Sequence, residues 1–123
     1  MKKQILLVDD DTVLLKTLQR MFKLFDVTVE PLERAGEAID LVREDPDRFP
    51  VALIDLTMPD MNGEELIEAL HRLAPKMEIF LISGYGEGNR VQSAVSKGAS
   101  GFLAKPFRMN TIQDFVQRVF VEA

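Results

Sequence analysis

Reactive side chains in this 123-residue chain stand where apolar runs give out. Asp9 and Asp10 follow Ile5-Leu6-Leu7-Val8, and Asp55 follows Val51-Ala52-Leu53-Ile54. Ser83 follows Glu78-Ile79-Phe80-Leu81-Ile82, and Lys105 follows Gly101-Phe102-Leu103-Ala104. Three carboxylates brought together repel one another and stay ionised only beside a cation or a protonated lysine. A donor set of oxygens, with no histidine or thiolate, points to Mg²⁺, which suits one or two carboxylates plus waters and a phosphate. Mg²⁺, an ammonium, a hydroxyl and a carboxylate nucleophile on one rim suit phosphoryl transfer, where positioning and charge stabilisation do most of the work.

Taken singly, each residue has an ordinary reading. Asp9 and Asp10 could start a loop and cap the helix after it, although Asp11 or Thr12 could do that equally well. Lys105 alone would be a solvated lysine and Ser83 a turn residue. Asp55, at the end of an apolar strand, is less ordinary. The joint appearance of all of them at strand ends favours a site.

Whether they meet depends on the elements that carry them. Short continuous apolar runs mark strands buried on both faces. Residues 5–8 are such a run, 51–54, 78–82 and 101–104 read as further strands, and Val27-Thr28-Val29 is a brief strand rich in β-branched residues. Between them lie helical patterns: Val13, Leu14, Leu18, Met21, Phe22 and Phe25; then Ala35, Ala38, Ile39, Leu41 and Val42; then Leu66, Ile67, Leu70 and Leu73. Val91, Ala94 and Val95 mark a fourth helix closing at Gly98, a C-cap residue. Ile112, Phe115, Val116, Val119 and Phe120 mark the fifth. Strands joined by helices run parallel, and right-handed crossovers lay helices on both faces of the sheet. The expected fold is therefore an α/β (βα)5 doubly wound sheet. In such sheets ligands bind at the carboxyl ends of the strands, which is where the reactive residues fall.

Composition excludes much else. The length suits one domain over residues 1–123. With no cysteine there is no disulfide, thiolate nucleophile or cysteine-bound zinc, which fits a cytoplasmic setting. The single histidine, His71, permits no multi-histidine metal site and is expected on the solvent side of the third helix. A net charge of −5 disfavours direct nucleic-acid binding. No apolar stretch reaches a membrane span or a secretory core segment. Gly84-Tyr85-Gly86-Glu87-Gly88 lacks the third glycine of a dinucleotide loop, since Asn89 stands there. No phosphate-binding loop of the G-x-x-x-x-G-K-[ST] type occurs, so ATP is not the expected donor.

In order and spacing these residues resemble the receiver domains of two-component response regulators. The resemblance runs from Ile5 to about Val119. It rests on Val8-Asp9-Asp10, Asp55-Leu56-Thr57-Met58-Pro59 with Gly63, Ser83-Gly84, Ala94-Val95 with Gly98-Ala99, and Phe102-Leu103-Ala104-Lys105-Pro106-Phe107. It implies a flavodoxin-like sheet in strand order 2-1-3-4-5, the order that also describes the chemotaxis member of the family. It further implies that Asp55 accepts a phosphoryl group. Asp10, Asp55 and the main-chain carbonyl of Thr57 would then hold Mg²⁺ directly, and Asp9 mainly through water. Lys105 would bind the phosphoryl group across a cis Lys105–Pro106 peptide. Ser83 and Phe102 match the family's switch pair, and Thr57 and Tyr85 the positions that tune dephosphorylation. Arg108 departs from the family where an acid is common, so Asn110 is expected to cap the last helix.

The implied function is a phosphoacceptor switch that assists its own phosphorylation and dephosphorylation, rather than a turnover enzyme. Its donor would be a histidine kinase or phosphotransfer protein. Its signal would be a changed surface around the fourth helix, fifth strand and fifth helix, read by an output domain or target protein; a phosphorylation-dependent homodimer also stays open. Both a stand-alone regulator and a receiver from a longer protein fit the chain. The alternative is a phosphorylation-independent interaction module, which would need the acidic residues or Lys105 to be degraded.

Overall fold

The computed structural model describes residues 3–56, 58, 60–84, 88–105 and 107–121, with the side chains of Gly88 and Val121 excepted. Five strands, β1 (Gln4–Val8), β2 (Thr28–Leu32), β3 (Val51–Asp55), β4 (Glu78–Ser83) and β5 (Gly101–Ala104), alternate with five helices. The helices are α1 (Thr12–Lys23), α2 (Ala35–Glu44), α3 (Gly63–Leu73), α4 (Gly88–Ser96) and α5 (Met109–Val116), the last continuing as a π-helical stretch over Gln117–Val121. All strands pair in parallel, in the order β2-β1-β3-β4-β5.

Because side chains alternate along a strand, each central strand feeds two cores. Leu6, Val8, Ala52, Ile54, Ile79 and Leu81 face α2, α3 and α4, packing with Ala38, Leu66, Leu70 and Ala94. Ile5, Leu7, Val51, Leu53, Phe80 and Ile82 face α1 and α5, packing with Leu18, Phe22 and Phe115. Phe115 meets Phe80 and Phe22 in T-shaped contacts, with centroids 4.9 and 6.1 Å away. Double-sided burial explains why these strands read as unbroken apolar runs.

Several local expectations are corrected. Strand β2 starts one residue later than Val27 and runs on through Pro31 to Leu32. That is possible because β2 is an edge strand, where a missing N–H does not break the sheet interior. On α1 the buried face is Leu15, Leu18 and Phe22, whereas Val13 is exposed. Asn110 does not cap α5: the helix starts at Met109, and Arg108 stands at the cap without a side-chain bond. The close of α4 is as expected. Gly98 has φ +123°, and Ala99 N–H reaches Ala94 O at 3.0 Å while Gly98 N–H reaches Val95 O at 3.2 Å. This is the paired 6→1 and 5→2 bonding of a Schellman cap, which a left-handed glycine permits. His71 is exposed, as expected, with its ring against Gly98.

Candidate phosphoacceptor site

Two strand ends, those of β1 and β3, bring three acids to one edge of the sheet. Parallel pairing sets Val8 beside Ile54, so the residues just past β1 lie next to Asp55 at the end of β3. One carboxylate oxygen from each of Asp9, Asp10 and Asp55 lies within 4.8 Å of the other two. The three differ in setting: Asp9 is buried, Asp55 half-buried and Asp10 exposed.

The helix-cap reading of the first acids falls to Asp11. Its Oδ1 accepts the N–H groups of Val13 and Leu14, both at 3.1 Å, and so caps α1. Asp9 Oδ1 accepts the Asp11 N–H at 2.9 Å, which fixes that carboxylate. Asp9 Oδ2 is buried with no hydrogen-bond partner among the described residues. A buried carboxylate oxygen left unpaired is costly unless a cation or proton meets it. The Asp9 carboxyl is accordingly pushed up to about 6, chiefly by burial. The N–H of Asp11 opposes this, the Asp55 and Asp10 charges add to it, and the Lys105 ammonium lowers it. Repulsion among the acids is thus real but secondary to desolvation at Asp9. An all-oxygen cluster with one buried, unpaired oxygen fits a hard divalent cation such as Mg²⁺.

Strands β4 and β5 supply the other two groups. Ser83 ends β4, buried, with Ala104 opposite in register. The Lys105 N–H donates to Ser83 O at 2.9 Å, so one backbone bond holds the hydroxyl-bearing and ammonium-bearing residues side by side. Phe102, on β5, is 50% exposed. Thr57, Tyr85 and Pro106 lie outside the described residues.

The backbone after Asp55 is braced in ways the sequence did not reveal. Gly63 N–H donates to Leu56 O at 2.9 Å. A Cβ on Gly63 would lie 2.6 Å from Leu56 Cα and 2.9 Å from Asp55 O, so only glycine lets α3 start against the end of β3. Asp60, in the same connection, reaches across to α2. Its two oxygens accept the N–H groups of Ala35 and Gly36, each at 3.1 Å, capping a helix whose own cap residue, Arg34, makes no side-chain bond. Those two donors hold the Asp60 carboxyl below the usual carboxylate range. Arg90, on α4, donates to Leu56 O at 2.8 Å and to Glu64 of α3 at 3.0 and 3.1 Å. Asp60 preceding a helix-start glycine resembles an ordinary turn acid, and Arg90 a solvated helix charge; only the fold shows what each touches.

Comparison with known proteins agrees with this geometry. Residues 5–117 match the family model described as response regulator receiver domain. A two-component response regulator of Arabidopsis thaliana is 36% identical over 116 residues, covering 94% of this chain and 22% of its own length. One from Oryza sativa subsp. japonica is 34% identical over 117 residues, covering 95% and 20%. The chain therefore spans about a fifth of the length of these relatives. Among solved structures, a CheY-like response regulator receiver domain protein from Methanospirillum hungatei JF-1 aligns with a TM-score of 0.86 at 30% identity, over 96% of this chain and 93% of that one. A response regulator protein from Burkholderia pseudomallei, solved with a phosphorylated aspartic acid, calcium ion and citrate, aligns with a TM-score of 0.82 at 27% identity, over 96% and 66%.

Proposed function

We propose that this chain, which belongs to the response regulator receiver domain family, is a phosphoacceptor switch in which Asp55 takes a phosphoryl group from a phosphohistidine. The observation that carries this reading is the meeting of Asp9, Asp10 and Asp55 oxygens within 4.8 Å, with Ser83 one residue past the register partner of Asp55 and bonded through its carbonyl to Lys105. The solved relative with a phosphorylated aspartic acid and a divalent ion supports it.

Asp10, Asp55 and the Thr57 carbonyl would hold Mg²⁺ directly, with Asp9 acting mainly through water. When bound, Mg²⁺ supplies positive charge to the phosphoryl oxygens and offsets the acids' mutual repulsion. The Asp55 carboxylate attacks phosphorus in line; the new O–P bond forms as the P–N bond to the donor imidazole breaks, and the imidazole leaves with the bonding pair. Lys105 holds charge on the transferred group, as a point-charge donor does for phosphate. Thr57 and Tyr85 tune the return by hydrolysis.

A phosphoryl group adds about −1.5 to −2 charge and three strong acceptors. Ser83 donates to it and moves inward, and the exposed Phe102 ring follows into the vacated space. The surface of α4, β5 and α5 changes, and an output domain or target protein reads it. A histidine kinase or phosphotransfer protein in the cytoplasm is the donor, and the domain does not turn over substrate. Among the described residues no helix is long and apolar enough to cross a membrane.

The test is intact-mass analysis after incubation with acetyl phosphate, with and without Mg²⁺. One phosphoryl group per chain, dependent on Mg²⁺, is expected. No uptake under either condition would remove the reading.

A further inference from the structure

Helix α4 is thinly anchored. Of its apolar residues Ala94 is fully buried, Val91 is half-buried, and Val95 is 49% exposed. Among the described residues, Arg90 ties it to α3 and to the end of β3. One guanidinium nitrogen, Nη2, donates to the Leu56 carbonyl at 2.8 Å and to Glu64 Oε1 at 3.0 Å, while Nε donates to the same Glu64 oxygen at 3.1 Å. Leu56 is fully buried and directly follows Asp55. Its carbonyl already accepts the Gly63 N–H at 2.9 Å, so two donors from two helices converge on the peptide oxygen next to the acceptor residue.

Hydrogen bonds from a charged donor are roughly twice as strong as neutral ones, and a planar guanidinium fixes the direction of its acceptors. A shift of the Asp55–Leu56 backbone therefore cannot leave Arg90 undisturbed, and Arg90 is part of α4. We propose that Arg90 is a positioning residue: its hydrogen bond to Leu56 O orients the acceptor segment and carries the state of Asp55 directly to α4. This route runs beside the Ser83 hydroxyl and does not pass through it. It rests on the reading of Asp55 as phosphoacceptor.

The roles of the partners differ. Glu64 orients the guanidinium, and its side chain is only 17% exposed. In Glu64→Gln the neutral side-chain carbonyl can still accept from Arg90, leaving the Leu56 bond in place. A lysine at position 90 keeps the charge but loses the fork that serves both acceptors at once.

The experiment compares the wild-type chain with Arg90→Ala, Arg90→Lys and Glu64→Gln. Beryllofluoride with Mg²⁺ serves as the phosphoryl mimic, and amide NMR shifts of residues 89–96 are read relative to that of Ser83 in the same sample. This ratio is insensitive to a general loss of stability. The α4 response should fall by about half or more in Arg90→Ala and Arg90→Lys, with the Ser83 shift kept. In Glu64→Gln it should stay near the wild-type value. A full α4 response in either Arg90 variant, or a loss in Glu64→Gln as large as in Arg90→Ala, would overturn the proposal. If Arg90→Ala does not fold, the other two variants decide alone. Acetyl phosphate labelling of the wild type separates the failures: an unlabelled wild type removes the acceptor reading, whereas a labelled wild type with unaffected Arg90 variants removes only the coupling.

Discussion

Gly63 and Leu56 are bound as well as packed: the Gly63 N–H donates to the Leu56 carbonyl at 2.9 Å, and a Cβ on Gly63 would meet Leu56 Cα at 2.6 Å. The start of α3 is thereby pressed onto the backbone that carries Asp55. The obstructing atoms are main chain, so they cannot rotate aside as a side chain would.

Gly63→Ala should therefore destabilise the domain. Alanine gains up to about 1 kcal/mol in helix propensity over glycine, but overpacking a buried contact costs about 1–3 kcal/mol, so the clash should win. Urea denaturation should show a lower midpoint, and acetyl phosphate labelling should slow because the Asp55–Leu56 segment is displaced. Equal or greater stability would mean that α3 can move away freely.

Asp9 gives a pH prediction. Its carboxyl is raised from 3.8 to about 6 in the fold, mainly by burial. The folded state holds that proton more tightly than the unfolded chain does. Its contribution is therefore fully present below about pH 4 and is lost as pH rises through about 6, on the order of 3 kcal/mol. Asp9→Asn should remove this dependence and raise metal-free stability at neutral pH. Mg²⁺ should stabilise the wild type more than the variant. The readout is the difference in urea midpoint between the two proteins across pH 4 to 7 without metal; a difference that does not vary with pH would refute the desolvation account.

Asp60 has the opposite sign. Two helix N–H groups hold its carboxyl below the ordinary 3.8, so its contribution is present above that pH and is lost as pH falls through the lower folded value. Asp60→Ala should lower thermal stability at neutral pH and converge on the wild type in acid. Hydrogen exchange at Ala35 and Gly36 should quicken in the variant. Unchanged protection there would show that the cross-connection cap contributes nothing.

The order of strands and helices was legible because both cores bury strands on two faces, leaving unbroken apolar runs between amphipathic patterns. The acidic cluster, Ser83 and Lys105 were legible because a parallel sheet delivers strand ends to one edge. What escaped was set by tertiary contact. Val13 and Leu15 are both apolar, and only packing against the sheet decides that Leu15 is the buried one. Asp60 and Arg90 act on partners 25 and 34 residues away, beyond any local pattern. Arg34 and Arg108 stand at the cap positions of α2 and α5 with no side-chain bond of their own, so no local N-cap signal marked those boundaries. The desolvation of Asp9, rather than charge repulsion, could not be weighed until its burial was known.

Ser83 tests the switch. It is the buried hydroxyl at the end of β4, next to Lys105. Ser83→Ala should leave labelling of Asp55 intact and shrink the beryllofluoride-induced shifts at Phe102, whose ring is 50% exposed before activation. The α4 shifts should fall only in part, since the Arg90 route persists. A full response at Phe102 would show that the hydroxyl is not what draws the ring inward.

Peptide mapping of the phosphoryl adduct decides which residue is the acceptor. The chain is incubated with acetyl phosphate and Mg²⁺, digested, and the base-labile adduct is located by mass spectrometry in the wild type and in Asp55→Asn. A single modified residue, Asp55, is expected, with no uptake at this site in a variant that still folds. Undiminished labelling of Asp55→Asn, or an adduct mapped to Asp9 or Asp10, would contradict it.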